Sequence, residues 1–428
     1  MDARQGNKRS SSPSLGRSGA YKRIRSDNYS SRNGSSPRLS SDTASCTSTH
    51  PANSFSDRPL ATFPLYPLDR FQTRCAQYQQ PTEIGYFSYN EKREMTLQSD
   101  AELKWYYEPD LKDCDLSDGF PDRYITRDPV PERLDALLKC LQNVNALAEE
   151  SGKTGVTPNF CTWRGIMTKI LCTPYSRDEW ELGVTRYKDT IYMEEHESDE
   201  KRQHAFGASD RDKLMSYWGY KFESLSTIDK PPSTLTGPDD EALQRRKEEC
   251  VNTNVQYCSV VRTRLGNNIL VMGAEVDCLV ADAKPTSNPQ SAYAELKTNR
   301  IISNERQQKS FERHKLLKIW AQSFLPGIPR IIIGYRTDSG HIQHIQHLKT
   351  MDIPRMVRGT QPNIWDATVC INFANGLLEF LKGVVVEDDP DVVYTVRFGK
   401  PFGEVRVLRR EKGKVGLEGV FVPDWYRT

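Results

Sequence analysis

The chain has 428 residues, a net charge of +2 and an apolar fraction of 37 %. That length can bury a large core, and the near-neutral balance excludes a global basic field, so any polyanion must be held by a local patch. No run of eighteen apolar residues and no signal-like apolar segment is present, which predicts a soluble, non-secreted protein with no membrane partner.

The cysteines stand at 46, 75, 114, 140, 161, 172, 250, 258, 278 and 370, with no CxxC pair among them. This spacing argues against a zinc ribbon or a disulfide scaffold and for reduced thiols inside a cell. Residues 1–58 are dense in Ser, Arg, Asn and Gly, too poor in apolar surface to offset the entropy of ordering, and are predicted to be a disordered tail. Lys22, Arg23 and Arg25 form a KRIR cluster suited to nuclear import or weak nucleic-acid contact, and equally to an ordinary flexible terminus. The remainder, 59–428, is expected to be one catalytic domain.

An early strand is predicted around Ile84, followed by polar residues to Met95. Pro131 opens a helix whose stripe Leu134, Leu137, Leu138, Leu141, Val144 and Leu147 ends before Gly152. A second helix covers roughly Trp163 to Cys172. Arg164 stands at its start, off the apolar face, where first-turn N–H groups would help it meet a phosphate. Glu181–Glu195 reads as two strands. In SYWGYKFESL, Trp218, Tyr220 and Phe222 alternate with Gly219, Lys221 and Glu223, which predicts a half-buried strand with Glu223 near its end. Residues 229–250 carry three prolines and a charged run and are expected to be a surface loop. Gln256–Leu265 and Ile269 onward form a predicted hairpin turned at Gly266–Asn268, with Cys258 read as a small packed residue.

The stretch from Ile269 to Arg300 carries the chemistry. Alternation places Glu275 and Asp277 on one face of the first run, and Tyr293, Glu295 and Lys297 on one face of the second. An E-x-D or E-x-K alone is ordinarily a solvated strand face. Here both acids interrupt a very apolar strand, where an unpaired charge is costly. If the two runs pair, three carboxylates and one ammonium converge, and close carboxylates repel unless a cation lies between them. Oxygen-only donors suit Mg²⁺ or Mn²⁺, the equipment for metal-assisted hydrolysis of a phosphate ester or anhydride. Beyond it, Arg300, Arg306, Lys309, Arg313, His314, Lys315 and Lys318 make a basic helix ending at Phe324. PRIIIGYRT is a predicted buried strand. His341, His344 and His347 lie on an exposed strand or loop, since steps of three alternate faces. A buried helix is expected around Trp365–Leu381, then two edge strands in YTVRFGKPFGEVRVLRR.

In order, W-R-G at Trp163–Gly165, G-Y-K-F-E at Gly219–Glu223, E-V-D at Glu275–Asp277, E-L-K at Glu295–Lys297 and the helix text HKLLKIWAQSFLPG with Gln322 resemble the motifs of the DXO-type decapping and RNA 5′-end-processing nucleases, in particular their fungal nuclear branch. The resemblance runs from about Phe63 to the C-terminus. It implies an α/β (α+β) fold of mixed, largely antiparallel sheets flanked by helices around a PD-(D/E)xK-like core. It implies metal ligation by Glu223, Glu275, Asp277, Glu295 and the Leu296 carbonyl, with two divalent ions clamping the attacking water and the leaving oxygen. Lys297 and Gln322 would contact the scissile phosphate and water, and Arg164 the RNA 5′ end. Cys258 and, more loosely, Arg93 and Glu132 would be further substrate contacts. The implied substrates are capped, NAD-capped and triphosphate RNA 5′ ends, and the implied partner is a nuclear 5′→3′ exoribonuclease. Two competing readings are a non-catalytic stabilising subunit of that exoribonuclease and a DNA endonuclease of the same skeleton.

Overall fold

The strand Asn268–Glu275 is buried along nearly its whole length, because both of its faces are apolar and both are covered. Leu270 and Met272 join one cluster with Met167, Trp320 and Phe373, and Val271 joins another with Leu137 and Leu141. Each fully buried side chain of this kind contributes roughly 1.5–3 kcal/mol. The computed structural model describes residues 58–128, 133–196, 209–360, 364–409 and 422–427, all within the unit Ser56–Thr428. The expected tail with its KRIR cluster (to residue 57) and Glu132 lie outside the described residues.

The larger sheet has ten strands: β1 (Ala61–Pro64), β2 (Thr82–Tyr89), β3 (Met95–Leu97), β6 (Phe160–Trp163), β7 (Trp180–Tyr187), β8 (Thr190–Glu195), β11 (Gln256–Leu265), β12 (Asn268–Glu275), β17 (Tyr394–Phe398) and β18 (Glu404–Arg409), in the spatial order β1-β18-β17-β7-β8-β6-β12-β11-β2-β3. It is antiparallel except where β6 lies parallel to both β8 and β12. The second sheet joins β4 (Trp105–Tyr106), β9 (Thr227–Ile228), β13 (Cys278–Leu279), β14 (Tyr293–Arg300), β15 (Arg330–Arg336) and β16 (Ile342–Lys349), in the order β16-β15-β14-β13-β4-β9. A short ribbon pairs β5 (Tyr124–Ile125) with β10 (Val251–Asn252). The mixed sheets flanked by helices that the motifs implied are therefore present.

Helices fill the spaces. α1 (Asp135–Glu150) packs on β2 and β11, and α2 (Arg164–Cys172) continues directly from β6. α3 (Asp210–Leu225) covers one face of the second sheet, where Phe222 and Trp218 meet Leu296 and Ile332. α4 (Glu241–Glu248) follows. Then α5 (Glu305–Ser310), a π-helical turn (Phe311–Leu316) and α6 (Leu317–Phe324) form one run packed on α2. α7 (Ile353–Thr360), α8 (Ala367–Val384) and the short α9 (Asp424–Arg427) are the remaining α-helices among the described residues.

Four sequence expectations are corrected. The Trp218–Phe222 alternation belongs to a helix: Tyr217, Trp218, Lys221, Phe222 and Leu225 are the buried set, at helical spacing, and Tyr220 is exposed. A capping box decides the matter, Ser209 accepting from the Asp212 N–H while Asp212 reaches back. Residues 229–250 include α4, whose N-cap Asp240 accepts from Ala242 N and whose Arg246 is buried against the Tyr107 carbonyl. β17 and β18 are not edges, because β1 closes on β18 from the far end of the sequence. Finally, the first acid run is not one strand. β12 ends at Glu275, and the chain crosses at Val276–Asp277 into β13 of the other sheet. His341, His344 and His347 do lie on or beside an exposed strand, with His347 beside Glu108 and His344 stacked on Tyr335.

β6 and β12 run side by side with Trp163 opposite Gly273. A Cβ on residue 273 would stand 2.3 Å from the indole, so glycine is what admits the ring beside the strand. We expect Gly273→Ala to lower stability by about 1–3 kcal/mol in urea unfolding, through overpacking. Gly165→Ala, with nothing within 4 Å of its new Cβ, serves as control and should fall within about 1 kcal/mol of wild type. Equal stability of the two variants would show that the Trp163 contact does not constrain the strands.

Candidate active site

Four elements converge. α2 brings Arg164 at its first residue, α3 brings Glu223 in its last turn, the β12–β13 crossing brings Glu275 and Asp277, and β14 brings Glu295, Leu296 and Lys297. β13 pairs antiparallel with β14, Cys278 opposite Ala294. This sets Asp277 beside Leu296, whose N–H donates to Asp277 Oδ2 at 2.6 Å. The two acid runs thus pair through the short β13, and not as full neighbouring strands.

Lys297 is the shared cation. Its Nζ lies 2.6 Å from Glu295 Oε1, donates to the Leu296 carbonyl at 3.0 Å and stands 3.8 Å from Asp277 Oδ2. Arg164 Nη1 approaches Glu295 Oε1 from the other side at 3.8 Å. Glu295 is almost fully buried, with 2 % of its side chain exposed. Burial would raise its pKa, but Lys297 and Arg164 outweigh burial and hold it below the usual carboxylate range. Lys297 loses hydration too, yet Glu295, Asp277 and Glu223 hold its ammonium above the ordinary lysine range.

The remaining acids are less well served. Burial, then the charge of Glu295, pushes Asp277 up to about 7 against the opposing pull of Lys297. Burial and the charges of Asp277, Glu275 and Glu295 push Glu223 well above its ordinary range. Positive charge is thus short: two cationic groups face four carboxylates. Glu295 Oε2 and Arg164 Nη1 are buried with no hydrogen-bond partner among the described residues. An oxygen-only donor set with surplus negative charge fits a hard divalent cation. The carboxylates are spread around the Lys297 ammonium: among the described residues, no three acid, thiolate or imidazole groups already stand at ligating separation. Glu223, Glu275, Asp277, Glu295 and the Leu296 carbonyl are the donors that an ion would draw together.

Three of these acids border a cleft of about 1010 Å³. Glu223, Glu275 and Asp277 lie on its wall with the first turn of α2, represented by Gly165 and Ile166. No side chain caps that turn and no acid lies in it, so its N–H groups are available to an anion. Trp163 and Tyr220, which lie within the quoted motifs but were given no role there, line the cleft as well, as does the β5–β10 ribbon. Tyr220 precedes Glu223 by three residues. On a helix this puts both on one side, a relation that the strand reading concealed.

The outlying candidates separate. Arg93 adopts a left-handed φ of 62°, with its guanidinium 3.7 Å from the Tyr89 ring centroid. It donates to Asn254 O and to Gln256 Oε1, and Gln256 lines the cleft, so Arg93 buttresses the rim. Cys258 lies opposite Glu275 in register, but its side chain is buried with Phe87, Leu137 and Val260, the packed role that its position first suggested. Gln322 is half-buried on α6, which packs on α2. Of the basic helix, Lys315 donates to Asn299 of β14 and Lys318 pairs with Asp178.

A family model described as RAI1 like PD-(D/E)XK nuclease matches residues 79–427. The chain belongs to this family. The decapping nuclease RAI1 of Neurospora crassa is 37 % identical over 357 residues, covering 82 % of this chain and 84 % of that protein. Candida albicans Rai1, solved with pU5 and Mn²⁺, superposes with a TM-score of 0.73 at 27 % identity, covering 82 % of this chain and 93 % of its own. Scheffersomyces stipitis Rai1, solved with 3′-NADP⁺ and a calcium ion, gives 0.73 at 26 %, covering 86 % and 98 %. The RAI1-like chain is accordingly an enzyme, a hydrolase with the decapping-nuclease fold, and divalent-metal use belongs to that fold.

An ionised Asp277 is a burden on the metal-free RAI1-like protein. Its carboxyl, ordinarily near 3.9, is raised in the folded state, so folding favours the protonated form. The penalty is absent below about 3.9, grows as pH rises and is complete above about 7. Asp277→Asn, which never ionises, should therefore raise the Tm of metal-free protein more at pH 8 than at pH 5. Thermal unfolding in chelator at the two pH values checks this, and a pH-independent gain would contradict the assignment.

Proposed function

We propose that this chain hydrolyses phosphoester and phosphoanhydride linkages at RNA 5′ ends, removing NAD caps and unmethylated or incomplete m7G caps as whole units, and pyrophosphate from 5′-triphosphate RNA, and leaving 5′-monophosphate RNA. The observation that carries this reading is the placing of three carboxylates, Glu223, Glu275 and Asp277, on the wall of a cleft large enough for nucleotides, beside the uncapped first turn of α2 and backed by the buried Glu295–Lys297 pair. The complexes of the two Rai1 relatives with pU5 and with 3′-NADP⁺ support RNA and a dinucleotide as occupants.

All but one of the candidate residues have a role in this reading. Glu223, Glu275, Asp277, Glu295 and the Leu296 carbonyl hold Mg²⁺ or Mn²⁺, two ions in the fullest form. When bound, divalent metal supplies Lewis acidity and a more acidic water. Lys297, already charged and held by Glu295, orients a phosphoryl oxygen. Arg164 and the first turn of α2 receive the 5′ phosphates, their N–H groups and positive end favouring negative charge. Gln322 assists the water and phosphate from α6. Arg93 shapes the rim, and Glu132 remains a substrate-contact candidate from the sequence. The buried Cys258 thiol is left out of the working set.

Stimulation of a nuclear 5′→3′ exoribonuclease in RNA quality control, and a nuclear location, belong to the same reading and are supported by the ordered motifs and by the KRIR cluster. Among the described residues, no helix is long and apolar enough to cross a membrane. A purely stabilising subunit has no use for carboxylates gathered around one ammonium, so the catalytic reading is favoured.

The test is a product assay with 5′-triphosphate, unmethylated-cap and NAD-capped RNA, in Mg²⁺, Mn²⁺ or chelator. We expect metal-dependent release of pyrophosphate, intact cap dinucleotide or intact NAD. Asp277→Ala should lose at least ~100-fold in turnover while remaining folded. No release from any substrate would favour the stabilising subunit, and preferential cutting of duplex DNA would favour an endonuclease.

A further inference from the structure

Glu83 lies on β2, in the larger sheet, outside the group of acids described above. Its carboxylate is buried and fully engaged. Oε1 pairs with Lys284 Nζ at 2.7 Å, and Oε2 accepts from Tyr293 OH at 2.7 Å and from Ser259 Oγ at 2.6 Å. Lys284 also donates to Tyr257 OH at 2.7 Å and sits 3.6 Å from the centroid of the Tyr86 ring. The Tyr257 and Tyr293 hydroxyls are 3.1 Å apart.

The members come from β2, β11, β14 and the loop between β13 and β14, so the cluster spans both sheets. Each sheet contributes one acid-bearing strand. Tyr293 precedes Glu295 by two residues on β14 and so shares its face. Tyr257 accepts, through its carbonyl, the N–H of Val276, which lies between Glu275 and Asp277. Lys284 comes from the loop that leads from Asp277 to Glu295. The network therefore holds the chain within one or two residues of Glu275, Asp277 and Glu295. Packing alone would be served by apolar side chains, since a buried ion pair rarely exceeds them in stability. A satisfied polar network adds fixed orientation.

We infer that Glu83, with Lys284 and Tyr293, is a positioning unit that sets the spacing between the Glu275–Asp277 pair and the Glu295–Lys297 pair, and thereby the grip of the site on a divalent cation. The inference rests on the metal-site reading proposed above. Outer partners of this kind typically govern about 10–100-fold in metal affinity or activity.

The experiment measures Mn²⁺ binding by isothermal titration calorimetry, thermal stability, and kcat and KM on 5′-triphosphate RNA. The proteins are wild type, Tyr293→Phe, Glu83→Gln and the double variant Glu83→Gln/Lys284→Met. Tyr293→Phe keeps the ring and removes only the hydroxyl. The double variant leaves no unpaired buried charge and should regain most of the stability that Glu83→Gln loses. We expect Tyr293→Phe and the double variant to bind Mn²⁺ about tenfold or more weakly and to lose kcat with KM unchanged. A stable double variant that binds Mn²⁺ and turns over like wild type, or an unaffected Tyr293→Phe, would reduce the cluster to packing and overturn the inference. Wild type that binds no Mn²⁺ would instead overturn the metal-site reading, and the inference with it.

Discussion

Carboxylates outnumber cations at the junction of the two sheets, and much of the architecture follows from that imbalance. Burying an ion costs several kcal/mol even after relaxation, and an opposite charge offsets this only at close range. Lys297 is placed to serve more than one acid, with Glu295 at 2.6 Å and Asp277 at 3.8 Å. Arg164 supplies the second cation from a separate helix. Burial, and then the charge of neighbouring carboxylates, pushes Glu223 and Asp277 toward protonation, because the available cations only partly offset it. A metal-free protein in this condition is strained electrostatically, and that strain makes a divalent cation welcome.

The same imbalance bears on how RNA would approach. Phosphates are repelled by bare carboxylates, so the cleft cannot attract them through its acid wall. Attraction comes instead from the rest of the wall, where the uncapped first turn of α2 with its helix dipole, and the Lys104 and Arg127 side chains, line the cleft. Binding and hydrolysis would then use adjacent but opposite electrostatic surfaces, with bound metal reversing the sign of the acid side. The modest net charge of the chain is compatible with this, because the attraction is local.

The chemistry was more legible in the sequence than the architecture that presents it. Glu275, Asp277, Glu295 and Lys297 stood out because charge interrupts apolar runs, a signal that survives ignorance of the fold. Arg164 was legible because it stands at the start of a predicted helix, off its apolar face, although the strand that precedes the helix was not read. Glu223 was located by motif but assigned to the wrong element. Five residues of aromatic alternation imitate a strand, and only the Ser209–Asp212 capping box and the burial of Lys221 reveal the helix. Glu83 was invisible for a different reason: its partners lie at 259, 284 and 293, and nothing local marks a carboxylate engaged across sheets. The pairing of β1 with β18 was hidden in the same way.

The crossing at Val276 explains why such long-range ties are needed. Within one sheet, backbone ladders fix neighbouring strands about 4.8 Å apart and leave little to adjust. Here Glu275 closes a strand of one sheet, Asp277 has already left it, and Glu295 belongs to the other sheet. Hydrogen-bond ladders hold each sheet internally but do not set the distance between β12 and β14. That distance falls to side chains and to the short β13–β14 pair. A site built at such a seam can draw its donors together around a cation without breaking a ladder. It also depends on side-chain ties to restrict how far they spread.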